Sequence, residues 1–158
     1  MRKHNHVSAL RLLSFAAISA IAMGAATTAR AQSGPYSYFS LTPCRVVDTR
    51  NAAGVNGGPA LGTTRRDFAV KGNCGVPSTA KAVTINIAVT GASAQSSWLT
   101  VWPAGAATPN TAAINFSSND WALSNGAIVG LGAGSQDLSV VNAVGTTHVI
   151  IDVTGYFQ

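Results

Sequence analysis

The chain has 158 residues, 47% of them apolar and only 9% charged, with a formal net charge of +5. Four basic residues, Arg2, Lys3, Arg11 and Arg30, lie in the first 31 positions; beyond them Arg45, Arg50, Arg65, Arg66, Lys71 and Lys81 face five aspartates, a net charge of +1. A surface for nucleic acid, which needs lysines and arginines massed on one face, is thereby excluded.

Residues 1–31 carry the parts of an export signal: a basic start, "MRKHNHVSALR", an apolar run, "LLSFAAISAIAMGA", and the small-x-small sequence "ARA". Cleavage is expected after Ala31, which makes the protein secreted, extracellular or periplasmic. The apolar run, Leu12 to Ala25, is 14 residues, short of the roughly 20 that cross a bilayer, so no membrane span is expected once the leader is removed. Taking 31 from 158 leaves 127 residues, 32–158, one domain large enough to bury a core.

In that region apolar residues come in short alternating or continuous runs rich in Val, Ile, Thr and aromatics, separated by Gly, Pro, Asn and Ser. This is the pattern of an all-β domain, and it predicts strands over Tyr36–Leu41, Arg45–Asp48, Asp67–Lys71, Ala82–Thr90, Trp98–Trp102, Ala113–Phe116, Ala127–Leu131, Leu138–Val141 and Thr147–Phe157. Short strands in this number fit a single antiparallel β-sandwich, with jelly-roll or immunoglobulin-like layering.

The first charged cluster is "LTPCRVVDTR", Leu41 to Arg50. Asp48 and Arg50 stand where a short strand gives way to the Gly-rich stretch Asn51–Arg65, so an ion pair or turn cap closing the loop base is expected there, a clasp rather than an active site. The stretch itself, nearly without large side chains, reads as a surface loop or flexible flap. Cys44 and Cys74, 30 positions apart in an exported chain, read as a disulfide. No CxxC pair and only one histidine beyond the leader leave no metal site and no cofactor to expect.

In the strand "AVTINIAVTG" Val83, Ile85, Ile87 and Val89 share one face, the core face. The closing strand "THVIIDVTGYF" places Val149, Ile151 and Val153 inward and Asp152 on the polar side, with Tyr156 and Phe157 at a sheet edge. Both strands carry Ile-x-Val-Thr-Gly, at Ile87–Gly91 and Ile151–Gly155, either equivalent positions in two halves of a sandwich or shared β-propensity.

The best binding rationale lies in "WLTVWP". A period of two puts Trp98, Thr100 and Trp102 on one face and Leu99 and Val101 on the other. With Leu99 and Val101 in the core, the two indoles are displayed roughly 13 Å apart and suit stacking on sugar rings. The competing assignment places both rings in the core or beneath a loop. Trp121, beside Asp120 in "SSNDWALSNG", is a further exposed candidate. Catalytic patterns are thin: there is no glutamate, no G-x-S-x-G elbow, and His148 is the one histidine available for a triad.

The ordered motifs "PCRVVDTR", "NCGVP", "LTVWP", "INF" and "HVIIDVTGYF" run from Pro43 to Phe157. In this order the chain resembles a recurrent exported bacterial domain that occurs alone, in tandem, or appended to cell-wall and polysaccharide hydrolases. The resemblance implies a β-sandwich surface module, its paired cysteines joining the first strand to the start of the central one. It supplies no catalytic residues. The functional expectation is a secreted non-catalytic module that binds glycan or cell-envelope polymer through Trp98, Thr100, Trp102 and Trp121. The alternative is a structural or assembly subunit that interacts through exposed strand edges, with a hydrolase third.

Overall fold

A computed structural model describes residues 34–158; the expected leader and its cleavage point lie outside the described residues. Among the described residues eight strands form: β1 (Tyr38–Asp48), β2 (Arg66–Phe68), β3 (Ala82–Thr90), β4 (Ser97–Pro103), β5 (Ile114–Phe116), β6 (Ala122–Gly130), β7 (Leu138–Asn142) and β8 (His148–Phe157). They make two four-stranded antiparallel sheets, ordered β1-β8-β3-β6 and β2-β7-β4-β5, with no helix among the described residues. The domain is a β-sandwich, and no helix in the described residues is long and apolar enough to cross a membrane.

Alternation fixes which face each strand buries. Val83, Ile85, Ile87 and Val89 of β3, and Val149, Ile151 and Val153 of β8, point into one core with Phe68, Leu99, Phe116, Leu138 and Val140 of the facing sheet. Each such side chain, fully withdrawn from water, contributes roughly 1.5–3 kcal/mol. The two Ile-x-Val-Thr-Gly strands are not counterparts in opposite sheets. They are direct neighbours in one sheet, with Ile87 opposite Ile151, so shared β-propensity explains the repeat.

Elsewhere the strand boundaries depart from the periodicity, each for a physical reason. The first two predicted strands fuse into β1, which shifts register against β8 between Ser40 and Cys44 and again between Arg45 and Val47. The first shift absorbs Pro43, which has no amide to give a ladder. β2 stops at Phe68 because the N–H groups of Val70 and Lys71 both donate to Asp137 Oδ2, at 2.7 Å each, instead of to a strand. β6 starts at Ala122, well before the apolar residues that mark it in the sequence, because its first half is an edge strand that buries almost nothing.

Cys44 and Cys74 are bridged. The bridge reaches a tight turn in which Gly72, Cys74 and Gly75 all adopt positive φ, at 79°, 52° and 76°. A structural bridge of this kind belongs to an oxidising compartment. It pins β1, just past its first irregularity, to the segment leading into β3.

The Gly-rich loop is tied down and not a flap. Arg66 donates to the carbonyls of Pro59 at 2.5 Å and Gly57 at 2.8 Å, with longer bonds to Gly54 and Gly58, while its guanidinium lies 5.0 Å from the centre of the Phe68 ring. Asn56 bonds both the N–H and the carbonyl of Ala69.

Candidate functional site

On β4 the alternation holds but its consequence differs from expectation. Leu99 faces the core with Val101 packed against it, so Trp98, Thr100 and Trp102 share the outer face. The chain then folds back over that face after Pro103. Thr100 Oγ1 donates to the Thr111 carbonyl at 2.6 Å and the Trp102 indole N–H to the Ala106 carbonyl at 3.1 Å. Thr100 and Trp102 are each 3% exposed, whereas Trp98 keeps 44% of its surface. The displayed pair of indoles therefore does not form: Trp102 is roofed by the segment after β4, as in the competing assignment, and Thr100 is buried beside it. Sequence periodicity assigns the face but not the cover, because the roof is built from small residues with no pattern of their own.

Trp98 is left with a polar neighbour of its own. It stands directly opposite Asn115 on β5, whose side chain is exposed. Opposed residues on paired strands bring their Cβ atoms within about 5 Å, so an indole and an amide lie side by side on the open surface. The signal was available: Ile114 and Phe116 are apolar, and the period of two sends Asn115 outward.

Trp121 is 93% exposed, the barest of the large hydrophobic side chains in the described fold. It rims a shallow groove of about 290 Å³ lined by Thr90, Gly91, Ala92, Ser118 and Asp120. The groove is built where two loops meet. Ser118 N–H donates to the Ala94 carbonyl, and Thr90 Oγ1 donates to the Trp121 carbonyl at 2.9 Å, which fixes the backbone beneath the indole. Asp120 Oδ2 accepts from the Ser117 N–H at 2.7 Å and the Ser117 hydroxyl at 2.9 Å, closing the turn before β6. Its second oxygen takes no hydrogen bond from the described residues. An indole face, a carboxylate oxygen and hydroxyls thus surround one open depression.

The clasp forms a small ion network. Arg50 binds Asp48 through Nε at 2.8 Å and Nη2 at 2.6 Å, and its own N–H adds a third bond at 3.1 Å. Arg45 reaches Asp48 at 3.5 Å and binds Asp152 with Nε at 2.8 Å and Nη2 at 3.2 Å. The Arg50 hydrogen bonds hold the Asp48 carboxyl down at about 2 against the usual 3.8. Further round the fold, Asp67 pairs with Arg65 and Asp137 with Lys71, and His148 Nδ1 meets the Thr49 hydroxyl at 3.3 Å. No group of three or more potential metal ligands assembles among the described residues.

A scan against protein-family models matches no family to this chain, and a search of curated proteins finds no match either.

Proposed function

We propose that the protein is an exported, non-catalytic surface module that binds glycan or cell-envelope polymer, with Trp121 as the principal stacking residue and Trp98 as an accessory one. One observation carries this reading: a nearly bare indole at the rim of a groove that also offers a carboxylate oxygen and hydroxyls. Sugar rings present apolar C–H faces to an aromatic plane and hydroxyl rims to polar acceptors, so this composition suits them. Export is supported by the leader sequence and by the disulfide, and the motif order resembling exported surface domains is in keeping with both. A binding role in preference to a hydrolytic one is supported by the aspartates. Asp48, Asp67, Asp137 and Asp152 are each held by a cationic side chain, and Asp120 by Ser117, whereas a glycosidase needs two carboxyls flanking one bond.

The test is co-sedimentation with insoluble polysaccharides and isolated cell-wall material. Trp121→Ala should weaken binding by at least about tenfold, the equivalent of roughly 1.4 kcal/mol, and leave the thermal midpoint unchanged, since the ring packs against almost nothing. Binding that survives Trp121→Ala undiminished, or no binding to any such polymer, overturns the proposal.

A further inference from the structure

The four sheet edges are not alike. β2 and β5 are three residues each. β1 contains Pro43, changes register twice and carries Arg45, features that blunt an edge against pairing. β6 has none of these protections. It is nine residues long, pairs with β3 through nine consecutive positions without a register shift, and reads ALSNGAIVG, with no charge and no proline. Its Ile128 is 68% exposed on the outer face of the sheet. Asn125 ties it to the residue before β5 by a side-chain bond to the Ala113 carbonyl at 2.7 Å, yet apart from β3 no strand among the described residues pairs with it. Alternate N–H and C=O groups of β6 therefore point away from β3, along an edge that β4 and β5 of the facing sheet approach without pairing to it.

From these features we infer that β6 pairs antiparallel with β6 of a second copy of this chain, joining two four-stranded sheets into one of eight. Antiparallel pairing of identical strands has a two-fold axis and so closes as a dimer. Centred on Gly126, it sets neutral residue against neutral residue along the whole strand, with no like charges opposed. The flanks are complementary. Asp120 lies just before β6, and Lys81, exposed and with no carboxylate partner among the described residues, lies beside the far end of the strand, where its carbonyl accepts from the Leu131 N–H. In the antiparallel arrangement the acidic end of each copy meets the basic end of its mate. The indoles of the two Trp121 residues then sit ten strand positions apart, roughly 33 Å, at opposite ends of the shared seam. The inference does not depend on the glycan reading, since it rests on the strand, with Asp120 the one residue that the groove and the flank share.

Gly126 offers a clean test, because a Cβ added there meets nothing within 4 Å and its φ is not positive. In sedimentation velocity runs from about 10 µM to about 1 mM, the purified protein should show a concentration-dependent dimer, and Gly126→Lys should raise its dissociation constant by at least about tenfold at unchanged thermal midpoint. Mixing Gly126→Lys with Gly126→Glu should restore a dimer containing one of each. A protein that stays monomeric throughout, a dimer insensitive to Gly126→Lys, or a failure of the mixed pair to associate each overturns the inference. Trp121→Ala should leave the dimer intact, so loss of polymer binding and loss of dimer separate the two readings.

Discussion

Asp48 accepts three hydrogen bonds from Arg50 and lies near Arg45, while its side chain is almost wholly buried. Its folded pKa of about 2 lies below the ordinary 3.8, so the unfolded chain takes up the proton first as pH falls. The stability this supplies is complete above about pH 4 and drains away between about pH 4 and pH 2. The difference amounts to at most about 2 kcal/mol, reduced in practice because both arginine partners are half exposed to screening solvent. Urea denaturation across that window should show a steeper loss for the native protein than for Asp48→Asn, in which the Asp48 contribution to the slope is gone. A clasp of this strength explains why three of the few charges in the chain are concentrated in one decapeptide: Asp48 satisfies the amide that turns the backbone out of β1 and anchors the base of the loop that follows.

At the level of the strand, β4 shows how two tryptophans with the same periodicity acquire opposite roles. Trp102 is sealed by the returning segment and hydrogen-bonded through its indole, whereas Trp98 stands opposite Asn115 and keeps 44% of its surface open. Trp102→Ala should lower unfolding free energy by about 3–5 kcal/mol, the usual cost of emptying a buried aromatic site, and Trp98→Ala by less than about 1 kcal/mol. Chemical denaturation of the two variants distinguishes them. The same strand marks the limit of what is legible in the amino-acid order. Alternation in β3, β4 and β8 identified the core faces, because burial on one side of a sheet writes a period of two into the chain. The first half of β6 wrote nothing, since an edge strand with both faces open selects small polar residues that read as a loop. Nor does local pattern show that β2 ends early: the carboxylate that takes its amides, Asp137, lies far along the chain. Trp121 was recognisable from its polar surroundings, while the groove beside it required two loops to be brought together.

For the whole molecule, the disulfide closes a 30-residue span from β1 to the turn before β3. Closing a loop of that size in the unfolded chain is worth about 3–4 kcal/mol in the chain-entropy account. Cys44→Ser with Cys74→Ser should therefore bring a fall of that order in the unfolding free energy measured in urea, and reductant should do the same to the native protein. Because the span takes in both the clasp and the Gly-rich loop, the cross-link restrains the part of the sandwich that contains the three-residue strand β2 and a long loop with little regular pairing.

Arg66 has a consequence for how freely that loop can change. Arg66 holds the loop by bonds to carbonyl oxygens, which every amino acid possesses, and within the loop the Asn56 amide adds to this hold through its bonds to Ala69. Replacing Asn51, Ala52, Ala53 or Val55, all exposed, leaves those acceptors where they are. Gly57 and Gly58 are the fixed points, since a Cβ on either would run into the carbonyl of Ala52 or Asn51. The tip is consequently a place where new surface chemistry can be carried without disturbing the sandwich, with one guanidinium, the Asn56 amide and two glycines marking the limits of that freedom.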